Sequence, residues 1–293
     1  MSAAAGGAAA GRLERAESEL RPVPGPSALG GGGRRFLQLL WLMSVTEFKL
    51  SFHGTVLGYL WSLARPLMLF GVLLVVFTKV FRFGGEIENY AALLLLNIML
   101  FQFFGEGTQR AVSAVVAHEG VVRKTQFPRL VIPLSIVLTT LLNLGLNLVV
   151  VMIFITAYGV DPTWTWLLLP VLVLALVVIT TAAAMLLSAL YPRFRDVALI
   201  WSVLGTTLFY ATPVLYPIDV APGGFKTAIQ LNPLTPIFEQ TNQWIIDPAA
   251  PGMIGAAGDS WYLPVVALAL FALTCALAVW VFKREAPRIA EEL

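Results

Sequence analysis

VIPLSIVLTTLLNLGLNLVVVMIFITA, residues 131–157, runs for 27 residues without a charged side chain. A helix that crosses the hydrocarbon of a bilayer needs about 20 such residues. A helix on the surface of a soluble domain would show a polar face over that length. Five more stretches are long and apolar enough, at roughly 66–83, 89–109, 167–190, 197–217 and 262–282. Over the whole chain 58% of residues are hydrophobic and only 12% charged, about half the charged share usual in soluble domains. Mean hydropathy is +0.81. The sequence therefore predicts an all-α, polytopic integral membrane protein with six transmembrane helices. The short alternating strands of an outer-membrane barrel are not its pattern.

The net charge of +2 hides an asymmetry. With six spans both termini share a side. That side holds seven Lys and Arg before the first span (Arg12 to Arg65), then Arg110, Arg123, Lys124 and Arg129, then Arg193 and Arg195, then Lys283, Arg284 and Arg288, sixteen in all. The other side holds three, Lys79, Arg82 and Lys226. Basic residues are retained on the cytoplasmic side, so both termini are expected in the cytoplasm. The one cysteine, Cys275, falls inside the last span, which leaves no partner for an intrachain disulfide.

Residues 1–33 are rich in Ala, Gly, Pro and Arg and read as a disordered cytoplasmic tail without the apolar core of a signal peptide. Residues 34–65, from RRFLQLLWLM to YLWSLAR, mix apolar residues with Glu47 and Lys49. They predict an amphipathic helix lying in the cytoplasmic interface, with Trp41, Tyr59 and Trp61 at headgroup depth. Gly54 and Gly58 form a GxxxG spacing, which suits either a close helix approach or a bend. Arg65-Pro66 is expected to open the first span, and Asp196 to cap the fifth. Trp164 and Trp166 on an external loop suit the aromatic belt. The longest connection, Ile218 to Trp261, contains FKTAIQL and PIFEQTNQWII, each enough for one short helix. Two re-entrant helices between spans five and six are expected, a surface-lying loop being the alternative.

No GxxxxGK[ST] motif occurs, so an ATP site in this chain is not expected. His53 and His118 stand alone without metal-ligand spacing. Mid-membrane ionisable residues, the mark of proton-coupled carriers, are nearly absent. Glu106 sits near the cytoplasmic end of span two, to be solvated or paired with a basic neighbour. Ser202, Gly205, Thr206, Phe209 and Thr212 fall near one face of span five, beside Tyr210. Such a face lines a passage or forms a packing seam. Asn143 and Asn147, four apart in span three, read as interhelical hydrogen-bonders.

Five pieces in order carry a family resemblance: EFKLSFHGTVLGYLWSLARPLM at 47–68, VVRKTQFPRLVIPL at 121–134, PRFRDV at 192–197, TPVLYP at 212–217 and NPLTPIFE at 232–239. The chain resembles the membrane subunit of ABC-2 type exporters that move lipid-linked polysaccharides such as O-antigen, teichoic acid or galactan, with Glu119-Gly120 a minor departure. The resemblance makes 66–293 the ABC-2 transmembrane domain. It implies a homodimer, membrane lipid around it, and two copies of a separate ATPase subunit that hold the ATP and Mg; no cofactor is expected in this chain and no nucleic acid as a partner. It implies that residues 111–127, with His118, Glu119, Arg123 and Lys124, seat in the ATPase. Ser202, Thr206, Phe209, Tyr210 and Thr212 are the candidates to line a channel, and the resemblance implies an external gate in the long loop, with Phe225, Pro236, Phe238 and Trp244 as its candidates. A polyprenyl diphosphate head calls for Arg or Lys donors, with Lys49, Arg65, Arg193 and Arg195 as candidates, although membrane anchoring also accounts for them. The implied location is the bacterial cytoplasmic membrane. The Ala/Gly/Arg bias of the tail suits a GC-rich bacterium and so a galactan or teichoic acid. An ABC-2 exporter of drugs or small lipids shares this architecture; a membrane enzyme acting on polyprenyl-linked sugars would need acidic clusters that are missing.

Overall fold

The computed structural model describes residues 32–52, 58–80, 89–120, 127–258 and 260–285. The tail at 1–31, His53, Gly54, Arg123 and Lys124 lie outside them. The described residues are helical and contain no strand, as expected where every backbone donor in lipid must be satisfied within its own segment.

Helix α1 (Gly33–Phe52) occupies the first part of the segment expected as one amphipathic helix over 34–65, whose last residues belong to the next helix instead. Trp41 and Leu42 on it are exposed, while Ser44 is fully buried where its carbonyl accepts the Thr139 hydroxyl at 3.1 Å. At Gly58 the backbone enters the left-handed region (φ 46), where glycine carries no Cβ penalty. Gly58 stands just before α2 (Leu60–Val75), which continues through a π turn at Val76–Val80. The span thus starts at Leu60, and Pro66 sits inside it rather than at its first turn.

Helix α3 (Tyr90–Ala117) runs 28 residues, two turns past the end expected at 109. It is the central element: 83% of its apolar window is buried inside the protein, against 11% for α2. Helices α4 (Val131–Tyr158) and α5 (Leu169–Leu190) pack on α3 and on each other. All three meet at Gly107, where a Cβ would lie 3.1 Å from both the Thr140 hydroxyl and the Thr180 methyl. Small residues at such crossings let membrane helices approach closely. Helix α9 (Tyr262–Glu285) packs on α5, and α1 lies along α4.

Helix α6 (Val197–Ala211) has only 15 residues, about 22 Å at 1.5 Å per residue. Among the described residues five helices are long and apolar enough to cross a membrane, and α6 is a shorter sixth. Asp196 stands at its start but makes no side-chain capping bond; its carbonyl instead accepts the Ile200 N–H at 2.9 Å. The helix breaks at Thr212 (φ −108, ψ 145). TPVLYP then runs non-helically with Thr212 to Leu215 buried. Its carbonyls are caught by side chains: Asn97 Nδ2 donates to Pro213 at 3.3 Å and Tyr90 Oη to Leu215 at 2.7 Å. Irregular backbone at this depth is tolerated only when its polar groups are met in this way.

The connection to α9 contains both predicted short helices, α7 (Gly223–Gln230) and α8 (Thr235–Thr241), the latter extended by a π turn to Ile246. Pro236 lies in the first turn of α8, where its missing N–H costs nothing. The hairpin is pinned inward by Trp166, whose Nε1 donates to Ile245 O at 3.1 Å, and by Thr165, whose hydroxyl donates to the Trp244 carbonyl.

Candidate functional site

An open-sided groove of about 700 Å³ lies between α2, α3 and α6. Arg65, Gln102, Glu106, Gln109 and Arg110 line it toward the C-terminal end of α3, and Phe101, Phe209 and Tyr210 line it farther along. The groove is thus cationic and amide-rich at one end and aromatic at the other. Ser202, Gly205 and Thr206 form the small-residue wall between. The Ser202 and Thr206 hydroxyls donate to Leu199 O (2.7 Å) and Ser202 O (3.1 Å) of their own helix, so their protons are already used and their oxygens remain as acceptors.

The groove's position follows from how α6 is held. No side chain of α6 is fully buried. It is tied to α3 by Trp201, whose Nε1 donates to Thr108 Oγ1 at 3.0 Å, and by the Phe101–Phe209 pair with centroids 5.2 Å apart. Phe101 also lies 6.3 Å from Phe238 on α8, so ring contacts run from the groove to the hairpin.

At the cationic end Arg110 has two carboxylates near it. Its guanidinium lies 3.4 Å from Glu106, one turn back, and 3.8 Å from Glu47 on α1. The other Glu47 oxygen is 3.4 Å from Nε2 of His118, whose Nδ1 lies 2.8 Å from Ala114 O. Behind α2 a second hollow of about 190 Å³ shares Arg65, Gln102, Glu106 and Arg110 with the groove, so these side chains stand between two spaces.

The structure brings five of the expected residues together here: Arg65, Ser202, Thr206, Phe209 and Tyr210. It places others elsewhere. Thr212 is fully buried and accepts Asn232 Nδ2 at 2.8 Å, because α6 ends one residue earlier. Arg193 and Arg195 sit over the rings of Phe194 (5.3 Å) and Tyr191 (5.0 Å), away from the groove. Lys49 is exposed in the last turn of α1. Phe238 and Pro236 are buried and Trp244 half-buried, while Phe225 stands exposed on α7. His118 caps α3, with Glu119 just beyond. Asn147 accepts the Tyr59 hydroxyl at 2.6 Å, an interhelical bond, whereas Asn143 Oδ1 is buried with no partner among the described residues. The groove residues that sequence reasoning missed are Gln102, Gln109 and Arg110. A polar stripe at 102, 106 and 109 on an apolar helix was the signal.

The described residues form an all-helical domain of the polytopic membrane class, with a helix broken at Thr212, a two-helix hairpin and an open-sided groove. Residues 38–243 match the ABC-2 type transporter family, and the chain belongs to it. Among curated relatives, the O-antigen export system permease protein RfbA of Klebsiella pneumoniae is 32% identical over 197 residues, covering 67% of this chain and 75% of that protein. The protein of the same name from Myxococcus xanthus is 34% identical over 173 residues, covering 59% of this chain and 66% of its own length. Both relatives carry O-antigen in their names; neither names a galactan or teichoic acid, the glycans that tail composition favoured.

Proposed function

We infer that the chain is the membrane subunit of an ATP-driven exporter of polysaccharide, which takes its cargo as a polymer on a polyprenyl diphosphate. The observation that carries this reading is the groove. Two guanidinium groups, Arg65 and Arg110, stand at one end with Phe209 and Tyr210 beyond them. Guanidinium forks suit a diphosphate, and flat aromatic faces suit sugar rings. The open side lets a membrane-anchored lipid enter from the bilayer. Family membership and the named function of the relatives support the same reading.

In this reading two copies of a separate ATPase subunit hold ATP and Mg and seat against residues 111–127. A second copy of this chain covers the exposed face of α6 and closes the groove into a channel. Both termini and α1 face the cytoplasm, and the α7–α8 hairpin forms the external gate. Depletion of the chain in its host should accumulate lipid-linked glycan on the cytoplasmic leaflet, and Arg65→Gln should do so at normal protein levels. Unaltered glycan distribution in both strains would overturn the reading.

A further inference from the structure

We propose that Arg110 senses occupancy of the groove and passes it, through Glu47, to α1 and to the cytoplasmic end of α3. This rests on the reading of the groove as the place of an anionic lipid head. Arg110 belongs to two systems at once: it lines the groove with Arg65, and it is one arm of the Arg110–Glu47–His118 chain. Its carboxylate contacts are long, at 3.4 and 3.8 Å, whereas a well-made guanidinium–anion bond closes to about 2.7–2.9 Å, often as a bidentate pair. A diphosphate entering beside Arg65 offers stronger acceptors than either carboxylate. Arg110 then turns to the ligand and Glu47 loses its cation.

The mechanical consequence follows from how α1 is attached. Ser44 is the one buried residue of α1, fixed by the Thr139 hydroxyl at 3.1 Å. Glu47 lies one turn beyond that pivot. Its loss of Arg110 leaves the C-terminal turn of α1 held to α3 only through His118, which caps α3 within the segment proposed to meet the ATPase. Glu47 is a positioning residue here: it competes with the ligand for Arg110. Reciprocity requires that if ligand binding weakens the Arg110–Glu47 contact, that contact weakens ligand binding by the same factor, so its loss tightens binding.

The test uses the full chain assembled with its ATPase subunits in phosphatidylcholine nanodiscs, with undecaprenyl diphosphate as probe. Binding is measured at equilibrium. Spin labels on cysteines at Leu50 and Ser113, with Cys275→Ser, report the separation of α1 from α3. In the otherwise unmodified protein the probe should change that separation. Glu47→Gln should show the probe-bound separation without probe and bind the probe about threefold or more tightly. Arg110→Gln should bind at least fivefold more weakly and show no change of separation on adding probe. Unchanged or weaker binding by Glu47→Gln, or a separation insensitive to the probe at saturation, overturns the relay and leaves the groove reading standing. Failure of the probe to bind at all, or binding untouched by both Arg65→Gln and Arg110→Gln, overturns the groove reading and the relay with it.

Discussion

Tyr90 shows what one polar atom does at membrane depth. Its hydroxyl is the donor that meets the Leu215 carbonyl where helix geometry has been abandoned. Tyr90→Phe removes only that oxygen, so it should lower stability by about 1–3 kcal/mol, the cost of a buried acceptor left unmet. Thermal unfolding in detergent checks this, and a midpoint equal to the parent's would mean the carbonyl has another donor. Glu239 on the hairpin is the opposite case, a buried carboxyl with one oxygen unpartnered among the described residues. Burial, then the charge of Asp219, pushes its pKa up to about 8, with Lys226 pulling the other way. The folded state therefore holds this proton more tightly than the unfolded chain. Its contribution is fully present below the ordinary carboxyl value of 4.5 and is lost as pH rises toward about 8. Stability of the parent minus that of Glu239→Gln should fall across that window and flatten above it. Parallel profiles would show that folding does not raise the Glu239 pKa.

Helix α6 is the element whose surroundings are least complete. Val203 is 60% exposed on it and Leu199 71%, on a helix that borders the groove. If a second copy covers this face, a single cysteine at Val203, with Cys275→Ser, should yield disulfide-linked dimers in native membranes on mild oxidation. A cysteine at Leu273, 61% exposed on α9, should not. Equal cross-linking at both positions would indicate random collision in the membrane. The shortness of α6 has its cause in the sequence, since TPVLYP places two prolines within six residues and proline supplies no N–H to a helix.

Orientation belongs to the whole molecule, because it depends on charges summed over every loop. Cysteines at Thr163 and Ala249, both exposed, should react with an impermeant thiol reagent in intact cells, and one at the exposed Ser113 should not. Ala249 is a better site than Gly252, where an added Cβ would lie 2.0 Å from the Gln243 side chain. Labelling of Ser113 from outside would reverse the assignment of both faces.

The sequence by itself determined that this chain is helical and membrane-embedded. Any uncharged run longer than 20 residues must satisfy its backbone internally, so α4 could be read from residues 131–157 alone. It also placed the two short hairpin helices, which proline and apolar runs delimit. Arg65, Ser202, Thr206, Phe209 and Tyr210 were legible as candidates by residue type, yet nothing local separated them from Arg193 or Thr212. Arg65 and Arg110 lie 45 positions apart in the chain, and only the packing of α2 against α3 sets them in one groove. Tertiary structure alone also decided which helix is the core. Helix α3 has the lowest hydropathy of the five long spans, 1.4 against 2.7 for the span ending in α5, and is the most buried. The reason is physical: a face turned to lipid must be apolar, whereas a helix enclosed by protein can carry Asn97 and Thr108, because Pro213 and Trp201 supply the partners that hydrocarbon cannot.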